Sequence, residues 1–214
     1  MNQNTHTPER PRGRPVANDQ QGLKTQILDT AEELFAENGC AATSIRRIAD
    51  QAGVNPALVH YYFGNKKALL QKVMERSLEP LGQAIAAMRN GPEASPDVIA
   101  RLLLSMAAKH PNIPRLLTRE VLLPGGEMQQ YFTENMAPHL GGALPVLLGR
   151  EKSAGRLRKN CDPAISSVLI LAVCFFPFIA RALAEPVLGV RFDDDGIETL
   201  TKQITELLIR GMVS

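Results

Sequence analysis

An all-α fold follows from three observations. Apolar residues recur at helical spacing in segment after segment, with no strand-like alternation. Leu and Ala are plentiful while aromatics are scarce, with seven Phe, three Tyr and no Trp. Caps, prolines and glycines stand where helices must begin and end. The 214-residue chain is 44% hydrophobic and 21% charged, with a formal net charge of +2. It is too apolar to be disordered and too balanced in charge to be a basic tail. A chain of this size buries about 70% of its unfolded surface, so it needs neither disulfides nor a metal to fold. The cysteines, Cys40, Cys161 and Cys174, are widely spaced and contain no CxxC pair. This argues against a disulfide framework or a zinc site and fits a reducing cytoplasm. The N-terminus lacks the apolar core of a secretory signal.

The elements read in order as follows. Residues 1–20 form a flexible polar arm with Arg10, Arg12 and Arg14 among prolines. A first helix spans about 22–38, where Leu23, Ile27, Ala31, Leu34 and Phe35 share one stripe, and Asn38-Gly39 is a suitable stop. A short second helix runs from Ser44 to Ala52, capped by Thr43 or Ser44, with Ile45, Ile48 and Ala49 inward and Arg46, Arg47 and Asp50 outward. Gly53 permits a tight turn. Asn55 caps a third helix that starts at Pro56 and ends near Tyr62. A fourth runs from Asn65 towards Met88. Further helices are expected at 96–109, 113–122, 126–149, 162–184 and 194–211, with interruptions around Pro124-Gly125-Gly126 and across 141–155.

Residues 164–180 carry no charge over 17 positions. A spanning helix needs about 20 apolar residues. This run is shorter, contains Pro177 and leads into Arg181, so it is expected to be a helix covered on several sides rather than a membrane span.

The stretch that carries function is 43–62, TSIRRIADQAGVNPALVHYY. Two short helices joined at Ala52-Gly53-Val54-Asn55 make a helix-turn-helix, whose second helix lies in a major groove. The N-terminal end of that helix offers free N–H groups suited to a phosphate. Charge agrees with this reading. Between Thr43 and Arg76, Arg46, Arg47, Lys66, Lys67, Lys72 and Arg76 stand against Asp50 and Glu75 only, whereas the first helix is acidic. Tyr61 and Tyr62 point about 100° apart on a helix. Tyr61 is expected outward at DNA, Tyr62 partly packed and Phe63 in the core.

ILDTAEELFAENG (27–39), TSIRRIADQAGV (43–54) and ALVHYYFGNKKALL (57–70), in this order and spacing, resemble the DNA-binding domain of the TetR family of transcriptional regulators. Gly155-Arg156-Leu157-Arg158, followed by Asp162-Pro163 and an apolar helix, is similar to the approach to that family's dimerisation helices. The resemblance implies a helix-turn-helix domain over 21–79 and a ligand-binding, dimerising helical domain over 80–214. It also implies a homodimer through the last two helices. By position it assigns DNA contact to Thr43, Ser44 and Arg46, to Asn55, Pro56, Ala57, Leu58, His60 and Tyr61, and to Lys66. The arm, with Arg12 and Arg14, suits a minor groove. Leu58 departs from the family, which commonly has Thr or Ser there. Ala57 and Leu58 can instead pack on a thymine methyl.

The C-terminal part holds no GxSxG, P-loop or HExxH motif, and neither a catalytic residue, a metal site nor a cofactor is expected. Met106, Phe132, Met136, Phe175 and Phe178 are candidates for an apolar pocket. The expected function is a cytoplasmic dimeric repressor. It would bind a pseudo-palindromic double-stranded operator and be released from it by an unidentified small apolar or amphipathic effector. The alternatives are a ligand-independent regulator or nucleoid-type protein, a DNA-processing enzyme, and a membrane-anchored sensor.

Overall fold

The structure is a computed structural model and describes residues 17–91 and 94–214. The arginine arm, with Arg12 and Arg14, lies outside the described residues. The helices are α1 (Ala17–Ala42), α2 (Ile45–Gln51), α3 (Pro56–Phe63), α4 (Lys66–Asn90), α5 (Pro96–Lys109), α6 (Asn112–Leu117), α7 (Gln129–Tyr131), α8 (Leu144–Ser153), α9 (Pro163–Ile179), α10 (Arg181–Leu188) and α11 (Asp194–Met212). Among the described residues no strand is present, and a single isolated bridge pairs Leu157 with Val213. The all-α expectation holds.

Local chemistry explains the helix ends. Ser44, Asn55, Asn65, Asp162 and Asp193 each accept a hydrogen bond from a backbone N–H in the first turn of the helix they precede. Each such cap contributes about 1 kcal/mol. α1 packs on α4 and α2, α5 lies between α11 and α9, and α8 packs on α9. α4 is continuous across the expected 79/80 domain boundary. Pro80 sits inside it without an N–H to donate.

Three helices depart from expectation. α1 starts at residue 17, earlier than expected, while its helical backbone breaks at Gly39 (φ 82, ψ 163), the expected stop, before a last short turn to Ala42. The helix expected over 126–149 is divided into α7, a π turn (Phe132–Met136), two 3-10 turns (Ala137–His139 and Gly141–Ala143) and α8. Pro138 lacks a donor N–H, and Gly142 approaches Ala137 so closely that a Cβ there would stand 2.8 Å from its carbonyl oxygen. The helix expected over 162–184 divides at Ala180 into α9 and α10, bent by 71°. Pro177 removes a donor just before this bend. Among the described residues no single helix is long and apolar enough to cross a membrane, and α9 and α10 pass that test only as a bent pair.

Burial pushes the Cys40 thiol up to about 11 and the Cys174 thiol up to about 12, so both remain protonated near neutral pH. Cys161 is half-buried beside the chain's C-terminal segment. A thiol reagent applied to the folded protein near neutral pH is therefore expected to modify Cys161 alone, with Cys40 and Cys174 reacting only on unfolding. Mass spectrometry of the labelled peptides checks this, and modification of folded Cys174 would contradict the packing.

Candidate nucleic-acid interface

The site is built on one packed layer. Ile27, Ala31, Leu34 and Phe35 of α1 are buried, as are Leu69, Leu70, Val73 and Met74 of α4. α2 adds Ile48 and Ala49, and α3 adds Val59. Burial of a side chain of this size is worth about 1.5–3 kcal/mol, and together these residues hold α2 and α3 to the layer by their inner faces. The turn between them is tight. Gly53 has φ 63, its N–H donates to the Asp50 carbonyl at 3.2 Å, and the Val54 N–H donates to the Ala49 carbonyl at 2.9 Å.

The outer face of this pair presents Ser44, Arg46, Arg47, Asn55, Ala57, His60 and Tyr61, all exposed, with Pro56 and Leu58 half-exposed. Tyr61 is 81% exposed, as expected, and Tyr62 is half-buried beneath the Lys24 ammonium, which lies 5.0 Å from its ring centre. Phe63 is only half-buried, packed edge-on to Tyr62 at 6.2 Å. Asn55 Oδ1 accepts from Ala57 N at 2.8 Å and Ser44 Oγ from Arg47 N at 3.1 Å. Both side chains thus hold the helix starts as well as facing outward.

Two expected contacts are engaged within the layer, one buried and one at its surface. Thr43 is 1% exposed, and its hydroxyl donates to the Gly39 carbonyl at 2.7 Å. It is a structural part of the corner, and the exposed cap is Ser44. The Lys66 ammonium donates to the Ala41 carbonyl at 3.2 Å, tying the start of α4 to the end of α1. His60 Nδ1 lies 2.7 Å from the Gly64 carbonyl oxygen. A carbonyl can only accept, so Nδ1 carries the hydrogen. Nε2 is left outward, able to donate only when the ring is protonated.

The positive face is narrower than the sequence count. Arg76 pairs with Asp29 at 2.8 Å and Glu32 at 3.3 Å, joining α4 to the acidic side of α1. Lys72 is paired to Glu75 at 2.6 Å. Arg46 makes only a long 3.9 Å pair with Asp50. The exposed cations beside α3 are thus Arg46, Arg47 and Lys67. Lys24, which stacks on Tyr62, was not read from the sequence, since nothing in the pattern links positions so far apart.

The five pocket candidates differ in their surroundings. Met106 and Phe178 are buried in the core, while Phe132, Met136 and Phe175 are half-buried. An open groove of about 550 Å³ runs between α4 and the segment after α7. Leu78, Met136 and Leu140 line it together with Glu79, Gln83 and His139. Of the five candidates, only Met136 lines it. At one end Tyr131 donates a hydrogen bond to Glu75. Burial works against the Glu75 charge, but the hydrogen bonds from Lys72 and Tyr131 prevail and hold its carboxyl below its ordinary range.

The comparisons with known proteins agree with this geometry. Residues 27–73 match the family model for bacterial regulatory proteins of the tetR family, and residues 92–211 match the tetracyclin repressor-like C-terminal domain. A helix-turn-helix transcriptional repressor of Mycobacterium tuberculosis is 36% identical over 134 residues, covering 62% of this chain and 64% of that protein. The match thus spans less than two thirds of that relative's length. The fold is shared with the ketosteroid regulator KstR2 of M. tuberculosis, at a TM-score of 0.71 and 16% identity over 89% of this chain and 95% of that one. It is shared too with the regulator FadR of Bacillus subtilis in complex with stearoyl-CoA, at a TM-score of 0.64 and 23% identity over 87% and 98%. The family is one of regulators, not enzymes. With its helix-turn-helix face exposed and both family models matched in order along its length, the chain belongs to the TetR family of bacterial transcriptional regulators.

Proposed function

We propose that this regulator is a dimeric repressor that binds a pseudo-palindromic operator in the cytoplasm and leaves it when a small apolar or amphipathic ligand binds the helical body. The single observation that carries the DNA-binding part is the outward face of α2 and α3, largely exposed on a packed layer. In this reading α3 enters the major groove. Ala57 and Leu58 pack on a thymine methyl and Tyr61 meets the duplex at its far end. Ser44, Arg46 and the N–H groups after Asn55 and Pro56 hold phosphates. His60 adds a phosphate contact when protonated, Lys66 anchors the start of α4, and Arg12 and Arg14 reach into a minor groove. With so apolar a reading helix, much of the specificity comes from DNA shape.

Dimerisation is supported by an apolar surface on the last helices. Ile165, Val168, Leu169 and Phe176 of α9, Leu183 and Val187 of α10, and Leu207 of α11 are exposed. A surface of this kind calls for a partner, and a second copy would place two reading heads on one duplex. The ligand reading is supported by the open groove along α4, and by the stearoyl-CoA in the FadR complex. A ligand that favours one position of α4 would shift the population between binding and released forms.

Fluorescence anisotropy tests the reading with duplex from upstream of the protein's own gene, against a scrambled duplex, across a salt series. The expected result is binding to the upstream duplex tighter by about a thousandfold or more. Equal, weak binding to both would remove the self-regulating repressor. Arg46→Ala is expected to lower affinity and to reduce the slope of log K against log salt by about one. Tyr61→Ala should cost about tenfold in operator affinity without loss of helix content. The native mass should be that of a dimer, and Val168→Glu should yield monomer with greatly weakened operator binding. A Val168→Glu protein that stays dimeric would place the interface elsewhere.

A further inference from the structure

The break in α1 exposes backbone groups that a regular helix would pair internally. At Gly39 the chain leaves helical geometry, and the helix ladder is interrupted five residues before Ser44, the cap of α2. Two of the affected groups are taken up by consecutive residues of the regulatory body. The Cys40 N–H donates to Glu120 Oε1 at 2.8 Å. The Glu37 carbonyl accepts from Arg119 Nη1 at 3.0 Å.

Arg119 and Glu120 belong to the π turn Thr118–Leu122 that continues α6. Glu120 is 4% exposed. Its second carboxylate oxygen accepts from the Glu127 N–H at 3.3 Å, and its carbonyl accepts from Met128 N at 3.0 Å. A buried carboxylate is costly unless hydrogen-bonded, and here its donors are backbone amides, one from the DNA-binding layer and one from the body. The Arg119 side chain lies flat against Gly39, where a Cβ would stand 2.8 Å from Nε. Three other carbonyls of this corner are held within the DNA-binding layer, Gly39 by the Thr43 hydroxyl, Cys40 by the Thr43 N–H and Ala41 by Lys66. The grip from the body thus falls on the segment that leads directly into α2.

We propose that Arg119 and Glu120 are positioning residues for DNA binding, clasping the corner between α1 and α2 and setting the angle at which α2 and α3 face the duplex. This rests on the operator-binding reading above. Neither residue lies on the exposed face of the helix-turn-helix. Each acts through the backbone of α1. A reading head already held at its bound angle loses less freedom on binding, so opening the clasp weakens operator binding while the head itself stays folded.

The test uses the full-length protein. Arg119→Ala, Arg119→Lys and Glu120→Ala are compared by operator anisotropy, thermal melting and hydrogen exchange at residues 40–44. Glu151→Gln serves as the control. Glu151 is a second buried carboxylate, bound to Arg156 at 2.6 Å and to the Ala94 N–H at 3.1 Å, far along the chain from the corner. The expected result is that Arg119→Ala and Glu120→Ala bind operator at least about fivefold more weakly and exchange the Cys40 amide faster. Arg119→Lys, which keeps a donor for the Glu37 carbonyl, recovers part of the loss. Glu151→Gln lowers the melting temperature but binds as the unaltered protein does.

Unchanged affinity in both alanine variants overturns the proposal, and so does an equal loss in Glu151→Gln. If Glu120→Ala does not fold, Arg119→Ala, which removes only the exposed half of the clasp, carries the test alone. Failure of the unaltered protein to prefer its operator would instead overturn the operator reading and the positioning role with it. Amide exchange at Cys40 would then still report whether the clasp forms.

Discussion

The burial of one stripe of α1 beneath α4 is the constraint on which the DNA-binding face depends. Ile27, Ala31, Leu34 and Phe35 leave water together only if α4 lies across them. Once that layer exists, α2 and α3 have one way to bury Ile48, Ala49 and Val59. Their polar outer faces are then exposed without further provision. The helix-turn-helix is too short to be stable alone, since isolated helices of this length are marginal in water. Its geometry is inherited from the layer beneath it.

Polar satisfaction decides the details that packing leaves open. Among the described residues, no buried side-chain nitrogen or oxygen lacks a hydrogen-bond partner. Glu32 is met by Arg76 and Ser77, and Glu120 by backbone amides of Cys40 and Glu127. Arg156 bonds to Glu151 and, with the Ala94 amide, holds its carboxyl below the ordinary carboxylate range against the effect of burial. Each buried acid joins segments distant in sequence. These are costly groups to bury, and in each case the partner fixes how two elements meet. The π turn at 118–122 serves the same end, carrying Arg119 and Glu120 to the backbone of α1.

Much of the DNA-binding layer was legible from local signals. The stripe in α1, the caps at Ser44 and Asn55, Pro56 at the first helical position and the tight turn at Gly53 all depend on neighbours within a few residues. Helix geometry separated Tyr61 from Tyr62 by about 100°, and the family resemblance set Tyr61 on the reading face. Thr43 was less legible, because a threonine before a helix reads as a cap whichever way its hydroxyl turns. The inward turn depends on carbonyls freed by the break at Gly39. The basic count was likewise too generous, since Arg76 meets Asp29 and Glu32 only when α4 lies across α1. The helix expected from 126 up to the interruption at 141 failed for a related reason. Its glycines and prolines were visible, but their joint effect on the path of the chain was not.

By itself the sequence determined what short-range chemistry controls: an all-α chain, the starts of its helices, the helix-turn-helix and the family to which it belongs. Periodicity and capping act over one or two turns, so they can be read along the chain. Only the tertiary structure decided which charges remain free at the reading face, where α9 bends into α10 and which candidate pocket residues are core. It also decided that Arg119 and Glu120 close on the end of α1. Those outcomes depend on hydrogen bonds and contacts between residues tens of positions apart, and their energies exist only once the helices have packed.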